Sequence, residues 1–364
     1  MVILKILIFP LSLVYGLIII IRNLFFDIGL LPSTSNSFPV ISVGNLSVGG
    51  TGKTPHIEYL IRLLEAQYRI ATLSRGYKRK TKGFILVDDD SPAKEVGDEA
   101  LQIKRKFREI LVAVDNNRRR GINFLKQKFP DIDIVLLDDA FQHRYVKPGL
   151  SILLTDYHNL FINDHLLPTG TLREPINSYK RADIIIITKT DSILSPIIKR
   201  NLAGELNLKP HQSLFYSYLN YEKLIPLTGI ISKEDVSDKK YYSSILLVVG
   251  IANPYPLQDY LKKICTELIT VQFSDHHRFT VKDLHKIREE FDKMYLKNKI
   301  IITTEKDAMR LRDPDLINYL ADLPVFYIPV QVLFHKCGAN SFDKMVMDYI
   351  SQTLTGQSSQ KSGL

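Results

Sequence analysis

The chain has 364 residues, of which 45% are hydrophobic, so it can bury a sizeable core; a disordered chain is excluded and more than one domain is expected. Its formal net charge of +9 suits a nucleotide, a nucleic acid or an acidic membrane surface, and the charge alone does not choose among them. The two cysteines, Cys265 and Cys337, lie far apart, which argues against a disulfide framework or a zinc site and favours a reducing cytosolic environment.

The N-terminal segment is the most unusual composition in the chain. Between Lys5 and Arg22, 16 consecutive residues carry no charge, and the apolar character continues to Leu31. This run is shorter than the roughly 20 apolar residues of a full membrane span, and no small-residue cleavage site follows it. We predict that residues 1–32 form a retained, membrane-associated helix with its charged ends at the headgroups. A buried core helix and a single-pass anchor are the alternatives.

Apolar runs alternate with amphipathic segments from residue 38 onward. Several of the runs are apolar at every position, which is typical of parallel strands covered on both faces. The runs are 39–44, 69–74, 110–114, 133–138, 151–155 and 183–188. Helical spacing between them fits right-handed βαβ crossovers. The pattern predicts an α/β/α domain with a parallel sheet over residues 33–212.

A tyrosine-rich stretch then interrupts this alternation, which returns from residue 244 onward. We predict an extended two-strand linker over residues 213–242 and a second, smaller α/β/α domain over residues 243–354. The polar C-terminus, residues 355–364, is expected to be a disordered tail.

A glycine-rich turn follows the first of these strands and precedes an amphipathic helix. The turn, "NLSVGGTGKTP", matches the P-loop pattern G-x-x-x-x-G-K-[ST] except that Ser47 replaces the first glycine. In such a loop, backbone N–H groups and the positive end of the helix converge on phosphate oxygens. Lys53 is expected at the β- and γ-phosphates and the Thr54 hydroxyl at Mg²⁺. The expected nucleotide-binding residues are Ser47, Val48, Gly49, Gly50, Thr51, Gly52, Lys53 and Thr54.

A P-loop also needs a carboxylate on the metal side. An apolar strand that ends in Asp138 and Asp139 supplies it, as in the Walker-B arrangement. One carboxylate can hold Mg²⁺ while the other orients the nucleophile or a neighbouring base. The alternative is an Asp-Asp turn that caps the following helix.

Three classes of P-loop protein fit these motifs to different degrees. The class with a signature lysine before the paired glycines is disfavoured, because Val48 occupies that position. A GTPase is a stronger alternative, since Thr188 to Asp191 matches the [NT]-K-x-D motif that reads guanine. The third class is a small-molecule kinase, in which an alcohol attacks the γ-phosphate.

The motifs together resemble the tetraacyldisaccharide 4′-kinases, membrane-associated enzymes of lipid A biosynthesis. Besides the P-loop and the strand ending in Asp138 and Asp139, the matching segments are "LSRGYKRK" (73–80), "VGDEA" (96–100), "LLPTGTLREP" (166–175), "GIANPYPL" (250–257), "FSDHHRFT" (273–280) and "TTEKDA" (303–308). The serine at position 47 is this family's own form of the loop.

The resemblance implies that the γ-phosphate of ATP is transferred to the 4′-hydroxyl of a tetraacyl glucosamine disaccharide 1-phosphate, with Mg²⁺. It places the protein at the cytoplasmic face of the bacterial inner membrane. Its expected partners are this lipid substrate and the membrane surface, with no nucleic acid and no obligate protein partner. The alternative function is a membrane-associated GTPase or metallochaperone.

The resemblance also assigns the site residues. Besides Lys53, the catalytic residues are Asp98 as general base and a histidine matched to His276, with His277 as the competing choice. Loss of the base is expected to cost less than loss of Lys53. Because Asp98 precedes the predicted linker and His276 follows it, their pairing would require the domains to close about a hinge.

The remaining site residues contact the metal or the lipid. The expected metal ligands are Thr54, Asp138, Asp139 and Glu174. The expected substrate-binding residues are Arg75, Tyr77, Glu99, Arg119 and Arg173. Three consecutive arginines occupy positions 118–120, and Arg119 is our choice for the family's single arginine.

Overall fold

A computed structural model describes residues 2–227, 241–275, 277–336 and 341–361. Contacts divide the chain into two compact units. The first comprises Met1–Asp89, Ile103–Leu219 and Val332–Leu364, and the second comprises Asp90–Gln102 and Asn220–Gln331.

The strands of the described residues are, in chain order, β1 (Thr34–Ser35), β2 (Val40–Asn45), β3 (Ile70–Ser74), β4 (Ile85–Leu86), β5 (Leu111–Val114), β6 (Ile134–Asp138), β7 (Val146–Lys147), β8 (Leu150–Asp156), β9 (Ile184–Thr188), β10 (Ser213–Tyr221), β11 (Ile225–Pro226), β12 (Tyr242–Val249), β13 (Cys265–Gln272), β14 (Lys299–Thr304), β15 (Val325–Ile328) and β16 (Val330–Phe334).

The α-helices of the same residues are α1 (Val2–Asp27), α2 (Lys53–Leu64), α3 (Ala93–Val96), α4 (Asp98–Lys106), α5 (Arg118–Lys128), α6 (Pro196–Leu206), α7 (Tyr255–Leu261), α8 (Val281–Asp292), α9 (Glu305–Leu311), α10 (Pro314–Ile317) and α11 (Phe342–Lys361). Side-chain caps fix several helix starts: the Asn117 side chain accepts from the N–H of Arg120 at α5, and Thr280 forms a capping box with Asp283 at α8.

The first unit is built on one large sheet. Its strand order, within the described residues, is β16-β10-β9-β8-β2-β6-β3-β5-β4. Strand β2 lies between β6 and β8 and is parallel to both, with Val43 paired to Asp138 and to Ile152. The carboxyl ends of these parallel strands therefore meet at one edge of the sheet, which is where open α/β sheets bind ligands.

Burial of the strands explains their composition. Strands β2, β6 and β9 are buried at every position, as the uninterrupted apolar runs predict. One apolar cluster packs Ile122 and Leu125 of α5 against strand residues such as Leu73 and Leu137. A second cluster surrounds the fully buried Phe161.

The second unit has a smaller sheet of the same type. Its order is β11-β15-β14-β12-β13 among the described residues, and all neighbouring pairs are parallel except β11 with β15. An apolar cluster packs Leu284, Ile287 and Phe291 of α8 against residues such as Leu246 and Val248 of β12. The fold class predicted from the sequence, a parallel P-loop-type α/β/α domain with a second, smaller α/β domain, is confirmed.

The course of the chain between the units differs from the predicted boundaries. Strand β10, placed in the linker by the prediction, pairs in parallel with β9 in the first sheet, and β16 lies beside it. Helix α11 also belongs to the first unit and continues to Lys361, beyond residue 354, the predicted end of the second domain. Residues 228–240 of the predicted linker and 362–364 of the predicted tail lie outside the described residues. Strands β10 and β16 lie side by side although more than a hundred residues separate them in the sequence, and such a pairing leaves no local pattern.

Helix α1 has two different sides. Leu7–Asp27 is long and apolar enough to cross a membrane by length and composition, with a hydropathy of 2.0 and 11% of its most apolar window buried, a test that core helices and signal sequences also pass. The buried positions include the polar Ser12 and Asn23, whereas leucines such as Leu13 and Leu17 are 60% and 58% exposed.

Polar contacts hold the buried side of α1 to the first unit. The hydroxyls of Ser12 and Thr169 share a hydrogen bond, and the Tyr15 hydroxyl donates to the carbonyl of Arg173 at 2.8 Å. An Arg22 guanidinium N–H donates to the carbonyl of Gln142, also at 2.8 Å. The exposed apolar side of this helix thus lies opposite the polar contacts that hold it to the first unit.

The buried face of α11 provides a test of its place in the first unit. Ile350 is fully buried, so Ile350→Ala should lower the free energy of unfolding by about 2–5 kcal/mol, through lost transfer energy and the cavity left behind. Ile193, which is 88% exposed, gives the matched control, and Ile193→Ala should change stability by no more than about 0.5 kcal/mol. Chemical denaturation measures both, and equal effects would contradict the placement of α11.

Candidate active site

The loop between β2 and α2 has the conformation that a phosphate site requires. Gly49 and Gly52 have φ of 120° and 89°, in the left-handed region that glycine tolerates. No heavy atom lies within 4 Å of a Cβ built at Gly49 or Gly50, so the backbone here borders open space. Helix α2 begins at Lys53, and its first-turn N–H groups point toward this space.

Lys53 lies among the side chains that end β2 and β6. Its Nζ is 3.7 Å from Asp139 Oδ1 and donates a hydrogen bond to Asn45 Oδ1 at 3.4 Å. Arg173 Nη1 lies 3.0 Å from both carboxylate oxygens of Asp139. Desolvation raises the pKa of Asp139, but the charges of Lys53 and Arg173 outweigh it and hold that pKa below its ordinary value. The carboxylate is therefore ionised at neutral pH.

Backbone hydrogen bonds fix the segment that carries Arg173 against the glycine loop. The N–H of Val48 donates to the carbonyl of Thr171, and the N–H of Arg173 donates to the carbonyl of Leu46, both at 2.8 Å. The guanidinium of Arg173 is thereby held at the end of β6 rather than on a free loop.

Glu174, the next residue, is fully buried. Its carboxylate lies 2.5 Å from Arg181 Nη2 and 3.8 Å from Arg22 Nη1. Two arginines therefore surround the residue expected to bind the metal, and its role as a ligand stays a prediction.

The other three expected metal ligands suit Mg²⁺. Thr54 in the first turn of α2 and Asp138 at the end of β6 are both buried, and Asp139 follows directly. Hydroxyl and carboxylate oxygens are the hard ligands that Mg²⁺ prefers, and this ion is commonly held by one or two carboxylates together with phosphate oxygens.

The three consecutive arginines of α5 have different environments. Arg118 is buried and donates to the carbonyls of Asp115 at 2.9 Å and Asp138 at 3.2 Å. Burial lowers its pKa to about 10. Arg120 forms two hydrogen bonds to the Asp115 carboxylate, at 2.9 and 2.7 Å. Arg119 is exposed and lines an open depression of about 440 Å³ with Asn123 and others.

Arg118, rather than the predicted Arg119, is thus the arginine that contacts the Walker-B strand. Helical spacing could have identified it, because Arg118, Ile122 and Leu125 are buried on one side of α5. The substrate-binding role of Arg119 stays a prediction.

Arg75 and Tyr77 follow β3 at the same edge of the sheet. Both are exposed, Tyr77 at 56%, so a ligand can reach them. Their role also stays a prediction.

The second unit contains Asp98 and Glu99, at the start of α4. Nε and Nη2 of Arg310 donate to Asp98 Oδ2 at 2.8 and 2.6 Å, and Lys306 Nζ donates to Glu99 Oε1 at 3.0 Å. Contacts group residues 90–102 with 220–331. Asp98 therefore lies in the second unit rather than in the first domain, where the sequence analysis placed it, and its pairing with His276 stays a prediction.

The two candidate histidines are adjacent. His276 lies outside the described residues. His277 Nε2 is 3.0 Å from Asp283 Oδ2, and its ring stacks on Phe273 with centroids 4.6 Å apart. His277 is therefore engaged by Asp283.

His56 is a residue of the site that our sequence reasoning missed. Its Nδ1 is 2.7 Å from the carbonyl of Gly52, and its Nε2 is 3.0 Å from the Ser217 hydroxyl. Burial lowers the pKa of His56 to about 4, so its ring is neutral at physiological pH. The spacing of one helical turn between Gly52 and His56 was the available signal. The His56 ring thus connects Gly52, the last glycine of the loop, with Ser217 of β10 through hydrogen bonds.

Comparisons with known proteins agree on one family. The family model described as tetraacyldisaccharide-1-P 4′-kinase matches residues 4–351. The tetraacyldisaccharide 4′-kinase of Bacteroides thetaiotaomicron is 43% identical over 96% of this chain and 94% of its own. That of Parabacteroides distasonis is 45% identical over 94% of this chain and 93% of its own.

A solved structure agrees as well. LpxK from Aquifex aeolicus, in complex with ATP, has a TM-score of 0.72 and 26% identity, with 96% of this chain and 99% of that chain covered. These matches confirm the resemblance and do not favour the GTPase or metallochaperone alternative.

The depressed pKa of His56 predicts an acid-dependent loss of stability. In the unfolded chain the His56 ring binds a proton near pH 6.5, whereas in the folded chain it stays neutral down to about pH 4. The free energy of unfolding therefore falls as the pH drops through this window. This difference between the pKa of His56 in the unfolded and in the folded chain corresponds to about 3 kcal/mol. The His56→Asn variant should lose this part of the pH dependence in denaturation experiments between pH 7 and 4.

His143 titrates in the same window, because burial and nearby arginines lower its pKa to about 4. Its contribution to the pH dependence of stability is the same in wild type and in His56→Asn. His158→Asn, at an exposed position, is the control and should keep the wild-type pH dependence. An identical pH profile for His56→Asn and wild type would contradict the buried, neutral ring.

Proposed function

The chain belongs to the tetraacyldisaccharide-1-P 4′-kinase family, and we propose that it transfers the γ-phosphate of ATP to the 4′-hydroxyl of a tetraacyl glucosamine disaccharide 1-phosphate. The observation that carries this proposal is the open glycine loop after β2, with Lys53, Asp139 and Arg173 beside it. The predicted cofactors, ATP and Mg²⁺, agree with the family.

The first unit supplies the phosphate-binding chemistry. Phosphoryl transfer is largely a matter of positioning and of neutralising charge on the phosphate oxygens. Lys53 and the N–H groups of the loop bind these oxygens, and Arg173 adds a second cation that the backbone of the loop itself holds in place. Thr54, Asp138 and Asp139 would hold Mg²⁺, which when bound neutralises charge on the β- and γ-phosphates.

Asp98 is the proton acceptor, in the role that the family resemblance gives it. As the 4′-oxygen bonds to the γ-phosphorus, its bond to hydrogen breaks and the proton passes to the Asp98 carboxylate, while ADP leaves with the electron pair of the broken P–O bond. His276 accepts or relays this proton in the role that the family resemblance gives it.

The anionic acceptor needs cations near the sheet edge. We assign this role to Arg75, Arg119 and Arg173, with Tyr77 and Glu99 binding hydroxyls of the sugar. The exposure of Arg75, Tyr77 and Arg119 supports this assignment, because a ligand in solvent can reach each of these side chains.

We propose that helix α1 seats the protein on the cytoplasmic face of the inner membrane. Its exposed apolar side offers leucines and isoleucines to lipid, while Tyr15 and Arg22 hold the opposite side to the segments that carry Arg173 and Gln142. The lipid acceptor then has no need to leave the membrane.

The kinase assignment predicts a clear order of effects. With the tetraacyl disaccharide 1-phosphate in detergent, Lys53→Ala should lower kcat/KM by about 1000-fold or more and Asp98→Asn by about 100-fold, since charge neutralisation exceeds base catalysis here. Transfer of labelled γ-phosphate to the lipid measures this, with GTP as competing donor.

Lys147→Ala, at an exposed lysine of the first unit, is the control and should keep full activity. GTP hydrolysis without a phosphorylated lipid would contradict the proposal and return attention to Thr188 to Asp191.

Membrane seating can be tested on the exposed side of α1. Leu13→Glu with Leu17→Glu should weaken binding to anionic vesicles at least about 100-fold, because each buried leucine contributes about 1.5–3 kcal/mol. The control is Ile193→Glu with Ile197→Glu, whose positions are 88% and 70% exposed. Co-sedimentation with vesicles measures binding, and equal binding of both double variants would argue against seating through α1.

A further inference from the structure

A buried carboxylate organises the carboxyl edge of the sheet in the second unit. Asp307, in the first turn of α9, is completely buried. It accepts hydrogen bonds from the N–H of Gly250 at 2.9 Å and from the Thr304 hydroxyl at 2.8 Å. Gly250 follows β12 and Thr304 ends β14, so Asp307 connects the ends of two neighbouring strands.

Asp307 also fixes one arginine. Nη1 of Arg310 donates to Asp307 Oδ1 at 2.8 Å, and the Arg310 side chain is only 6% exposed. The other two nitrogens of the fixed guanidinium, Nε and Nη2, both donate hydrogen bonds to Asp98 Oδ2. A planar guanidinium with donors on several sides suits this double task, which a lysine ammonium cannot reproduce.

A second ion pair in the same unit shows the contrast. Arg288 also makes two hydrogen bonds to a carboxylate, that of Asp322, at 2.7 and 2.5 Å. There, however, the side chains are 34% and 66% exposed, so the pair is solvated and contributes little. Buried Arg310 is desolvated, which makes its charge and its direction more effective at Asp98.

We propose that Arg310, anchored by Asp307, is a positioning residue that holds the Asp98 carboxylate ionised and oriented for proton transfer. This inference rests on the proposed role of Asp98 as the base. Both Arg310 donors contact the same oxygen, Oδ2, so the arginine orients the carboxylate through one side only.

Other charged groups face this region from the neighbouring elements. Lys306 of α9 pairs with Glu99, next to Asp98, at 3.0 Å. His277 pairs with Asp283 of α8 at 3.0 Å. Each of these groups has its own partner, whereas Arg310 contacts the Asp98 carboxylate itself.

Loss of the Arg310 charge should mainly affect the ionisation of Asp98. A neighbouring cation lowers the pKa of a carboxylic acid by about 1–3 units, so removal of the Arg310 charge should raise the pKa of Asp98. The fraction of enzyme with an ionised base then falls at acidic pH. Because Arg310 binds the carboxylates of Asp98 and Asp307, KM for ATP should change little.

The test compares Arg310→Met, Arg310→Lys and Arg288→Met by kcat and KM over pH 5–9, with tetraacyl disaccharide 1-phosphate as acceptor. Arg310→Met should lower kcat about 10- to 100-fold and move the acidic limb of the kcat profile to higher pH by about one unit, with KM for ATP unchanged. Arg310→Lys should restore part of kcat and return the limb toward wild type. Arg288→Met should resemble wild type throughout.

Two further measurements separate the possible failures. Asp307→Asn, which keeps the shape of the anchor but weakens its hold on Arg310, should show the same acidic-limb shift to a smaller degree. If Arg310→Met lowers activity at all pH values equally, in step with its thermal stability, the arginine is merely structural and the inference is wrong. Asp98→Asn serves as the reference: full activity there would refute the base assignment itself, whereas an inactive Asp98→Asn beside a normal Arg310→Met would refute only the positioning role.

Discussion

The site of the first unit depends on the register of β2 with β6. Because Val43 pairs with Asp138 in parallel strands, the glycine loop that continues β2 and the aspartates that end β6 emerge side by side. Opposite charges then meet there, with Lys53 and Arg173 beside Asp139. A shift of one residue in this pairing would displace Asp138 and Asp139 by about 3.3 Å relative to the glycine loop and so separate these opposite charges.

The same cluster connects the site to the apolar helix at the N-terminus. Arg173 is fixed by its own N–H to Leu46, and its carbonyl accepts from Tyr15 of α1. Its neighbour Glu174 lies between Arg181 and Arg22, the latter also on α1. Short polar contacts therefore join a surface suited to lipid with the cation that faces the phosphate loop. One short segment therefore contacts both the glycine loop and helix α1.

The second unit uses the same principle with different residues. Its sheet also gathers polar groups at the carboxyl edge, where Asp307 binds Gly250, Thr304 and Arg310. The segment 90–102 contributes Asp98 and Glu99 to this unit although the sequence places it amid the strands of the first. Asp98 and its neighbours thus come from two distant parts of the chain and are held by charged pairs in which the arginine is desolvated.

The sequence alone determined the features that a few neighbouring residues encode. The P-loop, the Walker-B aspartates, the parallel α/β sheets, the apolar helix and the family follow from local spacing, because backbone conformation and strand burial are set within short segments. Only the tertiary structure decided that Arg118 rather than Arg119 contacts Asp138, that β16 and α11 return to the first unit, and that Arg310 holds Asp98. Partners such as Arg310 and Asp98, 212 positions apart, are selected by packing of whole units, which no local pattern records.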